Sequence, residues 1–172
     1  MAGLVHLYCG EGKGKSTAAA GLALRAAGAG KRVIYAQFFK DGSSSEIGPL
    51  GRLPEVTVCV CPTRFGLYRR MTEEKKAEAA AAYRALFAEA AEKAGEADLL
   101  VLDEAVSACN HGILEEEALL GFLRTRPEKL EVVLTGRAPS QALLDAADYI
   151  TEMVKRRHPF DRGIPARKGI EF

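Results

Sequence analysis

Residues Gly10-Glu11-Gly12-Lys13-Gly14-Lys15-Ser16 have the spacing of a loop that cradles phosphate. Successive backbone amides must turn inward around an anion with no side chain in the way, and Gly10, Gly12 and Gly14 supply that freedom. Lys15 can reach the outer phosphates of a nucleoside triphosphate, and Ser16 can place its hydroxyl on a magnesium ion. Cys9 stands where the pattern ordinarily begins with glycine, so the loop is an irregular member of its class. A flexible turn with no ligand is the competing reading, and the strand and helix patterns on either side argue against it.

Asp103 and Glu104 close an apolar run, which places them beyond the carboxyl end of a strand, where ligands bind in open α/β sheets. A carboxylate there can hold magnesium directly or through water; a helix-capping aspartate at a solvated terminus is the alternative. Thr135-Gly136-Arg137 follows another apolar run and reaches the same edge, as a phosphate contact or as a surface turn. Cys9, Cys59, Cys61 and Cys109 lack zinc-site spacing and read as reduced, buried thiols. Cys59 and Cys61 would share a strand face, which in principle suits a soft metal, but no further ligand lies near them. The basic stretch 155–164, with Phe160 and Ile164 interleaved and His158 within it, reads from composition alone as solvated.

The elements that must position these groups alternate along the chain. Residues 4–9 read as a buried strand leading into the loop, and 16–29 as an Ala- and Leu-rich helix. Strands follow at 32–38, 56–60, 98–104, 131–135 and 149–153, with helices from Thr72 to near Gly95, over 115–124 and over 141–147. Segment 40–45 has the composition of a mobile loop, and 62–68 that of a connection. This alternation predicts an α/β fold, a mainly parallel sheet with helices on both faces, forming one domain over 1–172.

A net charge of +1 gives no global attraction to nucleic acid. No stretch is long enough to span a membrane, and the first residues do not resemble a signal peptide, so a cytoplasmic protein is expected.

Taken in order, Gly10 to Ala19, Gln37-Phe38-Phe39-Lys40, Leu102-Asp103-Glu104, Leu134-Thr135-Gly136-Arg137, Ala147-Asp148, His158-Pro159-Phe160 and the closing Gly169-Ile170-Glu171-Phe172 resemble the ATP:corrinoid adenosyltransferases of the phosphate-loop type. The resemblance implies a RecA-like phosphate-loop architecture. It also implies transfer of the 5′-deoxyadenosyl group of ATP to cobalt(I) of a corrinoid, with triphosphate leaving, in adenosylcobalamin biosynthesis or salvage. Gly10, Glu11, Gly12, Lys13, Gly14, Lys15, Ser16 and Thr17 would then hold the triphosphate, with Arg137 as a further cation. Lys15 and Glu104 would be catalytic, and magnesium would be shared by Ser16 with Asp103 or Glu104. An external reductant for cobalt and a homodimer are implied as well.

Relatives carry aromatic residues, often Trp, before and on the long helix to keep the corrinoid's lower axial position empty. This chain has no Trp. Phe65 and Tyr68 are the nearest candidates, with Tyr83 further on. Some relatives also close the site with an N-terminal extension; here the first strand begins close to Met1, so either closure is looser or segment 43–46 and the C-terminal tail are expected to serve. A phosphate-loop kinase of a small substrate such as a nucleoside is the alternative enzyme, and an ATP-binding switch the non-enzymatic one.

Overall fold

In the computed structural model, six parallel strands form one sheet: β1 (Val5–Cys9), β2 (Val33–Gln37), β3 (Val56–Val60), β4 (Leu99–Asp103), β5 (Glu131–Thr135) and β6 (Tyr149–Glu152). Their order is β3-β2-β4-β5-β1-β6. The structure describes residues 2–40, 42–66 and 68–172, and only the backbone of Arg69. Asp41 of the serine-rich segment and Leu67 of the 62–68 connection lie outside the described residues, as does Met1.

Every residue of β2 and β4 is buried, as befits central strands covered on both faces, and this explains why they are apolar up to their closing residues, Gln37 and Asp103. Helix α1 (Lys15–Gly28) lays Ala19, Ala23, Ala26 and Ala27 on one face of the sheet, against Val33, Tyr35, Val101 and Val133. The short α2 (Ile47–Leu50) adds Leu50 to the same layer. The opposite face is covered by α3 (Glu73–Lys93), α4 (Ala105–Asn110), α5 (Glu116–Thr125) and α6 (Gln141–Asp145), through residues such as Tyr83, Leu86, Val106, Leu119 and Leu143.

Thr72 caps α3 by accepting the Lys75 amide at 3.3 Å, and Ser140 caps α6 through the Leu143 amide at 3.2 Å. The expected parallel sheet and RecA-like phosphate-loop architecture are borne out, with β5 separating the loop strand β1 from the carboxylate strand β4.

Helices α2 and α4 were not legible in the sequence. Neither has the side-chain cap that Ser140 gives the equally short α6, and α2 contains Pro49. Among the described residues no helix is long and apolar enough to cross a membrane.

Candidate active site

The loop after β1 is held against the chain that leaves β6. The Gly12 amide donates to the Met153 carbonyl at 2.5 Å, and the Met153 amide donates to the Cys9 carbonyl at 2.9 Å. Gly10 has φ +97, and a Cβ on Gly10 or Gly12 would lie 2.6 Å from the Met153 carbonyl oxygen. Cys9 makes no turn: it is the last residue of β1 and is buried, and the left-handed position falls on Gly10. The irregularity at Cys9 therefore leaves the turn intact.

Gly14, at φ +119, starts α1 with no side-chain cap and no acidic residue in the first turn. The positive end of that helix is thus available to an anion. The Lys15 ammonium bridges the carbonyls of Gly10 at 2.7 Å and Gly12 at 2.9 Å. Burial holds its pKa below the ordinary lysine value, and Arg137 lowers it further against the opposing pull of Glu104 and Glu11.

Asp103 and Glu104 divide their work. Asp103 is fully buried, with Oδ1 accepting the Thr135 hydroxyl at 2.7 Å and Oδ2 accepting Gln37 Nε2 and Lys40 Nζ, each at 3.1 Å. Glu104 faces the cleft above the loop, its amide donating to Thr135 Oγ1 at 2.8 Å and its Oε2 accepting the Ser107 hydroxyl at 2.6 Å. Thr135 is therefore a buried post for both carboxylate residues.

Gly136 is required by packing, because a Cβ there would lie 2.6 Å from Val106 Cβ. Arg137 reaches the cleft and pairs with Glu11 at 2.8 Å. Asp148 anchors the sheet instead, accepting the Val5 amide at 2.8 Å.

The cleft, of about 270 Å³, brings together Glu11, Gly12, Lys13, Gly14, Lys15, Ser16, Thr17, Glu104 and Arg137. The tail residues His158, Phe160, Ile164 and Glu171 form its other wall. The segment that composition reads as solvated thus borders the loop, and further along the tail the Ser45 hydroxyl donates to the Phe172 carbonyl at 2.8 Å.

Sequence reasoning missed Lys40 as a site residue. Its ammonium lies 3.1 Å from Asp103 Oδ2 and 3.4 Å from Ser16 Oγ. These hard oxygens already surround a cation, and with Glu104 they fit magnesium chemically. Among the described residues no cluster of three or more His, Cys, Asp or Glu could hold a metal, so an ion there would depend on Ser16 and on phosphate oxygens. Cys9, Cys59, Cys61 and Cys109 are free thiols, the first three buried.

Three non-glycine residues among those described have positive φ: Phe39 (56), Glu104 (63) and Ala138 (45). They follow the carboxyl ends of β2, β4 and β5, so backbone strain is concentrated around this edge, as it is at ligand-binding sites. The strained turn at Phe39 separates two environments. Lys40 follows toward Asp103, while the Phe39 ring packs 5.6 Å from Tyr83 and 5.5 Å from His111.

Phe65, 5.9 Å from Tyr83, lines a second cavity of about 310 Å³ with Phe39, Lys40, Tyr83 and Phe172. Tyr68 is positioned differently: it stacks on His111 at 4.6 Å, donates to the His111 carbonyl at 2.8 Å, and is not among the residues lining that cavity.

Comparison with known proteins agrees with this geometry. The family model "ATP:corrinoid adenosyltransferase BtuR/CobO/CobP" matches residues 1–172. The corrinoid adenosyltransferase of Pseudomonas aeruginosa is 37% identical over 99% of this chain and 84% of its own length. Corrinoid adenosyltransferase CobA of Salmonella typhimurium is 33% identical, and the Escherichia coli corrinoid adenosyltransferase 32% identical, each over 99% of this chain and 86% of its own length. With the ordered motifs, the loop and its carboxylates all in place, the chain belongs to the ATP:corrinoid adenosyltransferase family.

Proposed function

We propose that this chain transfers the 5′-deoxyadenosyl group of ATP to the cobalt of a reduced corrinoid, releasing inorganic triphosphate, in adenosylcobalamin biosynthesis or salvage. The observation that carries this reading is the adjacency of two cavities, one lined by the phosphate loop and one by aromatic rings, with Lys40 lining both. Triphosphate and corrinoid would meet across that residue.

In the reaction, cobalt(I) supplies the electron pair of the new cobalt–carbon bond and becomes cobalt(III). The C5′–oxygen bond breaks, and its pair leaves on the triphosphate. No protein nucleophile is needed, so the chain's work is to position the reactants and stabilise the leaving charge. The amides of Gly10 to Ser16, with Lys13, Lys15 and Arg137, hold the triphosphate. The Thr17 side of α1 continues that wall, and Glu11 orients Arg137. Magnesium, held by Ser16 and Glu104 or Asp103, would supply further charge neutralisation. Phe65, with Phe39 and Tyr83, would offer the corrinoid an apolar face beside the polar Ser43, Ser44, Thr63 and Arg64.

An external reductant would supply cobalt(I). We further propose that residues 1–172 act as one domain in a cytoplasmic homodimer.

Protein mixed with ATP, magnesium and chemically reduced corrinoid should yield a light-sensitive adenosylated corrinoid, followed by its spectrum. A kinase would leave the corrinoid spectrum unchanged and phosphorylate a small acceptor.

A further inference from the structure

Lys40 lies where the metal-binding pair of a phosphate-loop protein converges. The hydroxyl that follows the loop lysine and the carboxylate at the end of a neighbouring strand are the groups that such proteins use to hold magnesium. Here both contact a cation that is part of the chain, with Lys40 Nζ 3.4 Å from Ser16 Oγ and 3.1 Å from Asp103 Oδ2.

The placement is built. Phe39 adopts φ +56 immediately before Lys40, a conformation that a bulky residue takes only under constraint. Buried Gln37 donates from Nε2 to Asp103 Oδ2 and to Glu46 Oε1, each at 3.1 Å, which fixes two carboxylates near the same ammonium. Glu46 Oε1 lies 3.8 Å from Lys40 Nζ. An ammonium and a divalent ion cannot share Asp103 Oδ2 and Ser16 Oγ at these distances, because their mutual repulsion in a partly buried site is large.

We propose that Lys40 and the divalent ion compete for Ser16 and Asp103, and that the ammonium displaced by the ion turns to the outer oxygens of the triphosphate. Lys40 is then a positioning residue that lowers the affinity for metal alone and raises it for metal with triphosphate. This rests on the adenosyltransferase reading, in which the whole triphosphate departs and needs more positive charge than a single phosphoryl group. Lys40 borders both cavities, so its cation would stand between leaving group and acceptor.

The test uses the full chain and neither corrinoid nor turnover. Manganese(II) alone is titrated by electron paramagnetic resonance, and inorganic triphosphate by calorimetry with and without magnesium. Lys40→Met should bind manganese about tenfold more tightly and triphosphate about tenfold more weakly, as expected for one charge in a partly buried site. Lys40→Arg should restore triphosphate binding while keeping metal binding weak. Manganese affinity that is unchanged or weaker in Lys40→Met overturns the proposal.

Removing the cation leaves Asp103 buried with one partner fewer, so the wild-type protein provides a second measurement. Magnesium alone should shift the lysine side-chain nitrogen resonance of Lys40, and a resonance that stays put overturns the proposal. A wild-type protein that shows this competition but makes no adenosylated corrinoid removes the activity and leaves Lys40's role standing. Adenosylation without competition removes only the latter.

Discussion

Thr135 donates its hydroxyl to Asp103 Oδ1 at 2.7 Å, a buried bond that joins the ends of β5 and β4 and, through the Glu104 amide on the same oxygen, sets the turn that delivers Glu104 to the cleft. Thr135→Val keeps the side-chain shape and removes both bonds. It should destabilise the protein by roughly 1–3 kcal/mol, the cost of leaving buried polar groups unpaired. Urea unfolding checks this, with Thr135→Ser expected to recover most of the loss; a Val variant as stable as wild type contradicts the role.

Gly10 and Gly21 make a paired prediction. At Gly10, φ +97 and the Met153 carbonyl 2.6 Å from a Cβ force the backbone to shift, so Gly10→Ala should cost about 1–3 kcal/mol and weaken triphosphate binding. Gly21 lies within α1 with open space around it, so Gly21→Ala should stabilise by roughly 0.5–1 kcal/mol. Thermal melts of the two variants should move in opposite directions.

That contrast shows what the sequence discloses. Regular elements were legible from apolar patterning and caps: β3 and β5 fall on the residues their pattern indicates, and α3 starts after its Thr72 cap. The loop, Asp103, Glu104 and Arg137 were legible because glycine spacing and strand-end carboxylates carry a mechanism.

The division between Asp103 and Glu104 was hidden, because it depends on Thr135, 31 residues from Glu104 along the chain. Lys40 was hidden for the same reason: its partners Ser16 and Asp103 lie 24 and 63 residues away. The tail's place beside the loop could not be read from a basic composition, since charge runs usually face solvent.

The aromatic pair suggested by sequence should separate. Phe65→Ala opens the cavity lined by Phe39 and Tyr83, and losing about 1.5–3 kcal/mol of apolar contact should raise the corrinoid KM about tenfold or more. The KM for ATP should not change. Tyr68→Ala breaks the stack on His111 and should lower stability more than corrinoid affinity. Equal corrinoid effects for the two variants contradict the assignment.

Glu171 carries a pH signature. Hydrogen bonds from the Arg167 side chain and then its amide hold the Glu171 carboxyl at about 2, below the ordinary 4.5. A depressed carboxyl contributes its stabilisation fully above the ordinary value and loses it as pH falls through about 2. A carboxyl-carbon NMR titration should give a midpoint near the lower value; a midpoint near 4.5 would show that the tail contact does not persist in solution.

Lys15→Ala removes the ammonium that spans Gly10 and Gly12. Adenosylation should fall below about a tenth of wild type, as expected when a charge aimed at the leaving group is lost. The circular dichroism spectrum should stay native. Activity above that level contradicts the role.

We propose that the loop from Gly10 to Ser16 grips the part of ATP that is discarded. Phosphorus NMR of a reaction containing ATP, magnesium and reduced corrinoid tests it most directly. Inorganic triphosphate should form in step with adenosylated corrinoid, with no ADP; ADP as the phosphorus product, with the corrinoid unaltered, would overturn the assignment.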